Sequence, residues 1–181
     1  MKKDIYQVIR NVIKALELRD SSLAEEWSNR LVHSTSIYQH EACILVSVIA
    51  YAIAKILGNE KLREKYPEEW KDFIEAMRKN LNAALERIDD EKEFVEALKV
   101  ISQQIKEFDE NFSQYAEHIM RFASVQKGKR IYAHGLSLTK VAEMLGISKW
   151  ELMEKVAEMK SEEPHYVTLK ERMRYARRLL E

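Results

Sequence analysis

The sequence is poor in the residues that break or cross-link a chain. Its 181 residues include one cysteine, two prolines and four glycines. A single thiol cannot form an internal disulfide, which excludes a secreted, disulfide-stabilised scaffold and favours a reducing, cytoplasmic setting. The glycines are isolated from one another and form no phosphate-cradling loop, so we expect no nucleotide site.

Long apolar runs are also absent. The most apolar stretch, residues 42–57, is shorter than the about 20 residues that a membrane-spanning helix needs, and Lys55 lies inside it. The chain starts with Met1-Lys-Lys-Asp and continues in an amphipathic pattern, which is not the pattern of a secretory signal. We therefore expect no membrane partner and interpret residues 42–57 as a buried central helix.

Charge is balanced over the whole chain but not along it. The 30 Lys and Arg residues equal the 30 Asp and Glu residues in number. Residues 1–115 carry 17 basic and 21 acidic side chains, whereas residues 116–181 carry 13 basic and 9 acidic ones. Such a basic region suits phosphate contact, although charge runs on helices are also commonly solvated faces. The high Lys and Glu content resembles that of thermophile, including archaeal, proteins.

Helical periodicity runs through almost the whole chain, and no segment shows the alternation of a half-buried strand. Ser22 with Glu25, and Asp90 with Glu93, fit capping boxes. Pro67 fits the first turn of a further helix. The first helix has an apolar stripe formed by Ile5, Val8, Ile9, Val12, Ile13 and Leu16. The pattern predicts an all-α protein.

Residues 138–159 carry the most specific pattern of the chain. Ala142 is small enough for two helices to approach closely, and Gly146, four residues later, fits the left-handed turn that ends a helix. Ser148 and Glu151 fit a capping box for the next helix. The inward apolar positions are Val141, Leu145, Leu152 and Val156. This spacing predicts a helix-turn-helix.

The longer run from Gly135 to Met153 resembles the helix-turn-helix of bacterial and archaeal regulators. It is most similar to the small antitoxin-like proteins of the UPF0175 type. This resemblance implies DNA binding and, in many such proteins, a partner toxin. The long helical region that precedes the run is unlike those small proteins, so the resemblance applies to a module of the chain.

The predicted organisation has two parts, a helical bundle over residues 1–126 and a helix-turn-helix module over residues 127–181. Hinges are expected at residues 127–129 and at Gly135, because glycine tolerates the backbone conformations of a turn. We expect about six helices before the motif. A final helix is predicted to begin near Thr168, after a short connector.

Two sets of residues in the module are candidates for binding. The DNA contacts are expected from Lys127, Lys129, Arg130, Lys140, Ser148 and Lys149. On the outward face of the second motif helix only Lys149 is a base-reading cation, and Glu154 would repel phosphate. Trp150 and Met153 are one helical turn apart and fit an apolar anchor for a protein partner. A final helix that covers both is the alternative.

Patterns for catalysis and metal binding are weak. His33, His40, Glu41 and Cys43 are close in sequence but lack the paired spacing of a zinc site. The Glu-x-x-His spacing that places two ligands on one helical face is also absent. We therefore expect a binding protein and not an enzyme, with no metal and no cofactor.

The leading functional hypothesis is a cytoplasmic, DNA-associated regulatory protein, antitoxin-like, that binds double-stranded DNA mainly through phosphate contacts. The alternative is a helical protein-interaction adaptor or complex subunit, in which the helix-turn-helix is a docking module. Helix-turn-helix proteins commonly bind as dimers, so we expect a homodimer. Its pairing surface is expected on the first helix, through Ile5, Ile9, Val12 and Leu16, or near Trp70 and Phe73.

Overall fold

The described part of the chain consists of nine helices and their connecting turns. The computed structural model describes residues 2–38, 40–107 and 110–159, with side chains over 2–31, 40–107 and 117–158. The helices are α1 (Lys2–Leu18), α2 (Ser21–Tyr38), α3 (Glu41–Leu57), α4 (Glu60–Lys65), α5 (Pro67–Leu85), α6 (Glu91–Glu107), α7 (Glu110–Ala133), α8 (Leu138–Leu145) and α9 (Lys149–Met159). No strand occurs in these ranges, and the all-α prediction is confirmed.

Helix α3 is the centre of the bundle. Its side chains are buried almost without interruption from Ala42 to Leu57. It packs against α1, α2, α6, α7 and α8. This arrangement confirms the buried central helix that the sequence predicts, since a helix that is apolar on every side needs neighbours on every side. Within the described residues, no helix combines the length and the apolar character needed to cross a membrane.

The apolar stripe of α1 and the aromatic residues of α5 fill the core of their own chain. All six side chains proposed as pairing surfaces are almost fully buried: Ile5, Ile9, Val12, Leu16, Trp70 and Phe73. A buried stripe cannot also contact a second copy without unfolding part of the bundle. The two surfaces predicted for a homodimer are therefore wrong, because the helix period that suggested them reflects packing within the chain.

Several helix ends lie where the sequence places them. Pro67 is the first residue of α5, where its missing N–H removes no intrahelical hydrogen bond. The Asp90 carboxylate accepts a hydrogen bond from the backbone N–H of Glu93 at 3.0 Å, as the predicted cap of α6 requires. Helix α4 was not predicted, and its cap is the Asn59 side chain, which accepts from the Leu62 N–H at 3.0 Å.

The predicted cap of α2 is wrong. Asp20, two residues before the predicted Ser22, accepts a hydrogen bond from the backbone N–H of Leu23 at 2.9 Å. Asp is among the strongest capping residues, so it competes well with a nearby serine. The Glu25 carboxylate pairs instead with Lys55 of α3 at 3.0 Å. Glu25, predicted to be part of a local cap, therefore forms an ion pair between α2 and α3.

Helix α7 crosses the boundary predicted between residues 126 and 127. It is one continuous helix of 24 residues, and residues 127–129 lie within it. The hinge predicted there is wrong. Gly135, with a φ of +99°, does lie in the turn between α7 and α8. The predicted final helix near Thr168 lies outside the described residues.

Gly128 is a packing contact of α7. A Cβ atom at this position would lie 3.0 Å from Cδ1 of both Leu145 and Leu152. The missing side chain lets α8 and α9 approach α7 closely. Gly128, which the sequence suggests as a hinge, therefore allows α7, α8 and α9 to pack closely.

Helices α8 and α9 pack against each other and against α7, and α8 also contacts α3. Their shared apolar cluster, hereafter the C-terminal cluster, contains Ile44, Ile131, Leu136, Val141, Ala142, Leu152 and Val156. Ile44 belongs to α3 and Ile131 to α7. The last two described helices thus complete their core with residues from the bundle.

Candidate functional site

The α8–α9 unit begins and turns through backbone contacts that its sequence specifies. The Ser137 hydroxyl accepts a hydrogen bond from the Lys140 N–H at 3.3 Å and caps α8. Gly146 ends α8 in the left-handed conformation, with φ +62° and ψ 32°, as predicted. The Ile147 N–H then donates to the Ala142 carbonyl at 3.1 Å. This turn redirects the chain into α9 within three residues.

Helix α9 has one buried and one exposed face, as predicted. Leu152 and Val156 are buried in the C-terminal cluster. Trp150 is 74% exposed and Met153 is 42% exposed, and both are among the large hydrophobic side chains that contact solvent. Glu154 is also exposed. The exposed face of α9 therefore combines a large apolar anchor with negative charge.

The residues Ser148 and Glu151 act differently from a reciprocal capping box. The Ser148 hydroxyl accepts a hydrogen bond from the Trp150 N–H at 3.2 Å, which satisfies one N–H of the first turn. The Glu151 carboxylate accepts from the Arg121 Nε at 2.7 Å. This ion pair joins α9 to α7. Ser148 is exposed, as is Lys149, the next residue in the sequence.

The remaining basic candidates differ in exposure. Lys140 and Lys149 are exposed, and Lys129 is half-buried. Lysine ammonium groups that reach solvent can contact DNA phosphates. The exposed carboxylates of Glu143 and Glu154 lie on the same two helices and reduce the positive potential of the surface.

Lys127 is the clearest disagreement with the predicted DNA contacts. It is only 1% exposed. Its Nζ donates a hydrogen bond to Oδ1 of Asn29 at 2.8 Å and lies 4.5 Å from the centroid of the Tyr51 ring. A side chain enclosed by α2 and α3 cannot reach a DNA phosphate, so the DNA contact predicted for Lys127 is wrong.

Arg130 is exposed but is turned toward the bundle. Its Nη1 donates to the same Asn29 oxygen that accepts from Lys127. Two cationic side chains of α7 therefore share one neutral amide acceptor on α2. Arg130 stays available to solvent, but its position is set by α2 and not by α9.

Polar and charged side chains from α2, α3 and α7 surround Tyr51, and no sequence pattern predicts this group. Lys55 Nζ lies 4.8 Å from the Tyr51 ring centroid. Phe122 of α7 stacks on that ring at a centroid distance of 6.3 Å and an interplanar angle of 26°. We call the set Glu25, Asn29, Tyr51, Lys55, Lys127 and Arg130 the Asn29 cluster.

A helical period would have revealed the burial of Lys127. The buried positions of α7 include Ile119, Ala123 and Ile131, at spacings of four and eight residues. Lys127 lies four residues after Ala123 and four before Ile131, so its side chain points in a similar direction. The neighbouring basic residues Lys129 and Arg130 instead favour the prediction that Lys127 is exposed.

Burial changes the chemistry of two side chains in the bundle. Burial, with the nearby charges of Arg130 and Lys55, lowers the pKa of Lys127 from 10.5 to about 7. Burial raises the pKa of the Cys43 thiol to about 11, which makes it a poor nucleophile.

The predicted absence of a metal site concerns the residues around His40. The His40 Nε2 pairs with a Glu91 oxygen at 3.0 Å. Among the described residues, no three His, Cys, Asp or Glu side chains are placed to hold a metal ion.

Comparison with protein-family models, with curated proteins and with solved structures gives no match for this chain.

Proposed function

We propose that this chain is a DNA-associated regulatory protein that docks on duplex DNA through α8 and α9. The observation that carries the proposal is the α8–α9 geometry, with its left-handed turn at Gly146 and a second helix whose first turn is exposed. In helix-turn-helix proteins the N-terminal residues of the second helix contact base edges in the major groove. Here those residues are Lys149 and Trp150.

The charge of the α8–α9 unit supports modest DNA affinity. The candidate cations near the unit are Lys129, Lys140 and Lys149. Lys127 is buried, and the exposed Arg130 is directed toward α2 by its hydrogen bond to Asn29. Neutralising three phosphates gives a slope of roughly −3 for log affinity against log salt concentration. We expect weak binding at physiological salt that strengthens steeply at low salt.

Fluorescence anisotropy with a labelled duplex of mixed sequence tests this proposal. The Lys140→Ala/Lys149→Ala variant should reduce the magnitude of the salt slope by about 2, because each lost phosphate contact removes about 0.9. The matched control is Lys71→Ala/Lys79→Ala, which removes two exposed lysines from α5. No binding at low salt, or an equal effect of both double variants, contradicts the proposal.

A protein-interaction adaptor is the second candidate, and the exposure of Trp150 and Met153 favours it. Tryptophan is enriched among the residues that dominate protein–protein binding energy. The exposed carboxylate of Glu154 suits a protein partner better than a phosphate backbone. An antitoxin-like role would combine both candidates, with a toxin as the partner on α9.

The two candidates are separated by a Trp150→Ala/Met153→Ala variant. The adaptor proposal expects the variant to lose a stoichiometric complex that the wild-type chain forms in its native cells and that survives nuclease treatment. The control Leu18→Ala/Val100→Ala removes two exposed apolar side chains elsewhere, on α1 and α6, and should keep the complex. DNA affinity that falls with Trp150 assigns the side chain to the duplex instead.

Cytoplasmic location and homodimer formation are further parts of the proposal. A dimer would multiply the affinity of a module with few base-reading side chains. Sedimentation equilibrium at micromolar concentration should give twice the chain mass of 21.4 kDa. A monomer at that concentration contradicts the dimeric regulator.

A further inference from the structure

The Asn29 cluster has an uneven balance of charge. It contains three basic side chains, Lys55, Lys127 and Arg130, and one carboxylate, Glu25. That carboxylate is already paired with Lys55 at 3.0 Å. Lys127 and Arg130 share a neutral oxygen, the Oδ1 of Asn29. Among the described side chains, no acid pairs directly with either of these two cations.

Such an arrangement disfavours the charged form of Lys127 unless an anion lies nearby. A buried cation is normally paired with an opposite charge, because its transfer from water is costly. Within the described region, the Lys127 ammonium contacts an amide oxygen, that of Asn29, and the face of the Tyr51 ring. The cation–π contact offsets only part of the lost hydration. Among the described residues, the cluster therefore has two cationic side chains without a negative partner, Arg130 and the protonated form of Lys127.

We propose that a small oxyanion of the phosphate or sulfate class binds at the solvent side of the Asn29 cluster, in direct contact with the Arg130 guanidinium. Arg130 is exposed, and its planar fork offers further donors beside the Nη1 that Asn29 occupies. Two further cations add positive charge on the protein side of the site: Lys55, which is one-third exposed, and the buried Lys127. This inference does not depend on DNA binding by α9.

The ammonium of Lys127 couples anion binding to pH. The charged and titratable groups around it are Glu25 on α2, Tyr51 and Lys55 on α3, and Arg130 on α7. Because burial lowers the pKa of Lys127 to about 7, the ammonium is gained as pH falls through neutrality. A bound dianion favours that charged form. Sulfate stays doubly charged across this range, so the pH effect on its binding reports the protein.

Titration with sodium sulfate at constant ionic strength tests the site. The probe is sulfate alone, and the readout is the NMR signal of the Asn29 side-chain amide together with calorimetry. We expect saturable binding that is several-fold tighter at pH 6 than at pH 8.5. Arg130→Gln should weaken it at least tenfold, and Arg130→Lys should restore part of the loss.

The matched control is Arg78→Gln. Arg78 is also exposed and donates to another helix, to Glu17 of α1 at 3.1 Å, but it lies on α5. Its loss should leave sulfate binding unchanged. Sulfate effects that do not saturate, or that are equal in wild type, Arg130→Gln and Arg78→Gln, overturn the site as general salt effects.

A second arm identifies the source of the anion. Inorganic phosphate and a nucleoside monophosphate are compared at one pH and one ionic strength. Equal affinity assigns the site to the free anion, and tighter binding of the nucleotide assigns it to the phosphate of a larger molecule. Binding of neither, with sulfate also unbound, overturns the proposal.

Discussion

The bundle core and the C-terminal cluster differ in what they need for stability. The bundle core draws buried side chains from α1 to α7, with α3 surrounded on all sides. Among the described residues, helices α8 and α9 supply four buried side chains to the smaller cluster, Val141, Ala142, Leu152 and Val156. They have 8 and 11 residues. Isolated helices shorter than about 12–15 residues are marginal in water, so this pair is stable only when docked.

This difference implies unequal local stability. We expect the α8–α9 unit to undock while α1 to α6 keep their mutual contacts, because the buried residues that it packs against in the C-terminal cluster are few: Ile44, Ile131 and Leu136. Elements with few buried contacts open at a lower free energy than the core. Binding surfaces are commonly drawn from such elements, which agrees with the exposed face of α9 as the proposed docking site.

The largest effect is expected from a matched pair of leucine truncations. Leu98 of the bundle core and Leu152 of the C-terminal cluster are both 0% exposed. Each change to Ala should cost about 2–5 kcal/mol through lost burial and a cavity. Hydrogen exchange should show that Leu98→Ala weakens protection throughout the chain, whereas Leu152→Ala weakens it in α8 and α9 only. Global loss from both would show one cooperative unit.

A side chain at position 128 should weaken the packing of α8 and α9 on α7. Gly128→Val places atoms where Leu145 and Leu152 already lie within 3.0 Å, and overpacking of this kind costs about 1–3 kcal/mol. Gly128→Ala should show a smaller loss. The control Gly58→Ala meets only ordinary contacts at 3.4 Å and should be neutral or slightly stabilising. Urea unfolding measures the three variants, and equal behaviour at both positions contradicts the packing role of Gly128.

The buried lysine should make stability depend on pH. The folded pKa of Lys127 is about 7 and its ordinary value is 10.5, so between these values the unfolded chain binds one proton more. The free energy of unfolding should therefore rise with pH across this window, by up to about 1.4 kcal/mol per pH unit from this group. Below pH 7 the contribution is flat. Urea unfolding at pH 6 to 9 measures the slope.

Lys127→Met should remove this slope and raise stability near pH 7, because a buried charge is replaced by an apolar chain of similar length. Lys55→Met is the control. Burial acts to lower the pKa of Lys55, but its hydrogen bonds to Glu25 and Tyr51 raise the pKa overall. Its titration lies above the window, and the slope should persist. A slope unchanged in Lys127→Met would assign the pH effect to other groups.

The smallest effect is expected at the turn of the α8–α9 unit. Gly146 has a φ of +62°, and a Cβ there would meet no atom within 4 Å. Gly146→Ala should therefore cost about 1 kcal/mol through backbone strain alone. Gly146→Asn should cost less, because asparagine tolerates the left-handed region. Thermal unfolding and hydrogen exchange of α8 and α9 compare the two, and identical values contradict the strain argument.

Local sequence patterns predicted the helices but not every boundary. Pro67, Asp90 and Gly146 act as expected because each effect depends on a few neighbouring residues. The predicted cap of α2 is wrong because Asp20 and Ser22 both suit the role, and Asp20 caps the helix while Glu25 pairs with Lys55 of another helix. Such contacts between distant segments are not visible in a local pattern.

The candidate site was predictable in part for the same reason. The inward and outward faces of α9 follow from its period, which placed Trp150 and Met153 outside. The burial of Lys127 follows from the period of α7, but its partners Asn29 and Tyr51 come from two other helices. Only the tertiary fold brings these groups together.

Gly128 also constrains how this protein can change in evolution. One shared volume lies between positions 128, 145 and 152. Here the two leucines at 145 and 152 fill it, and the glycine at 128 adds no side chain. A homologue with alanine or serine at position 128 should carry a smaller residue at one of the leucine positions. The quantity under selection is then the summed size of three side chains, and it sets how α9 is presented to whatever the protein binds.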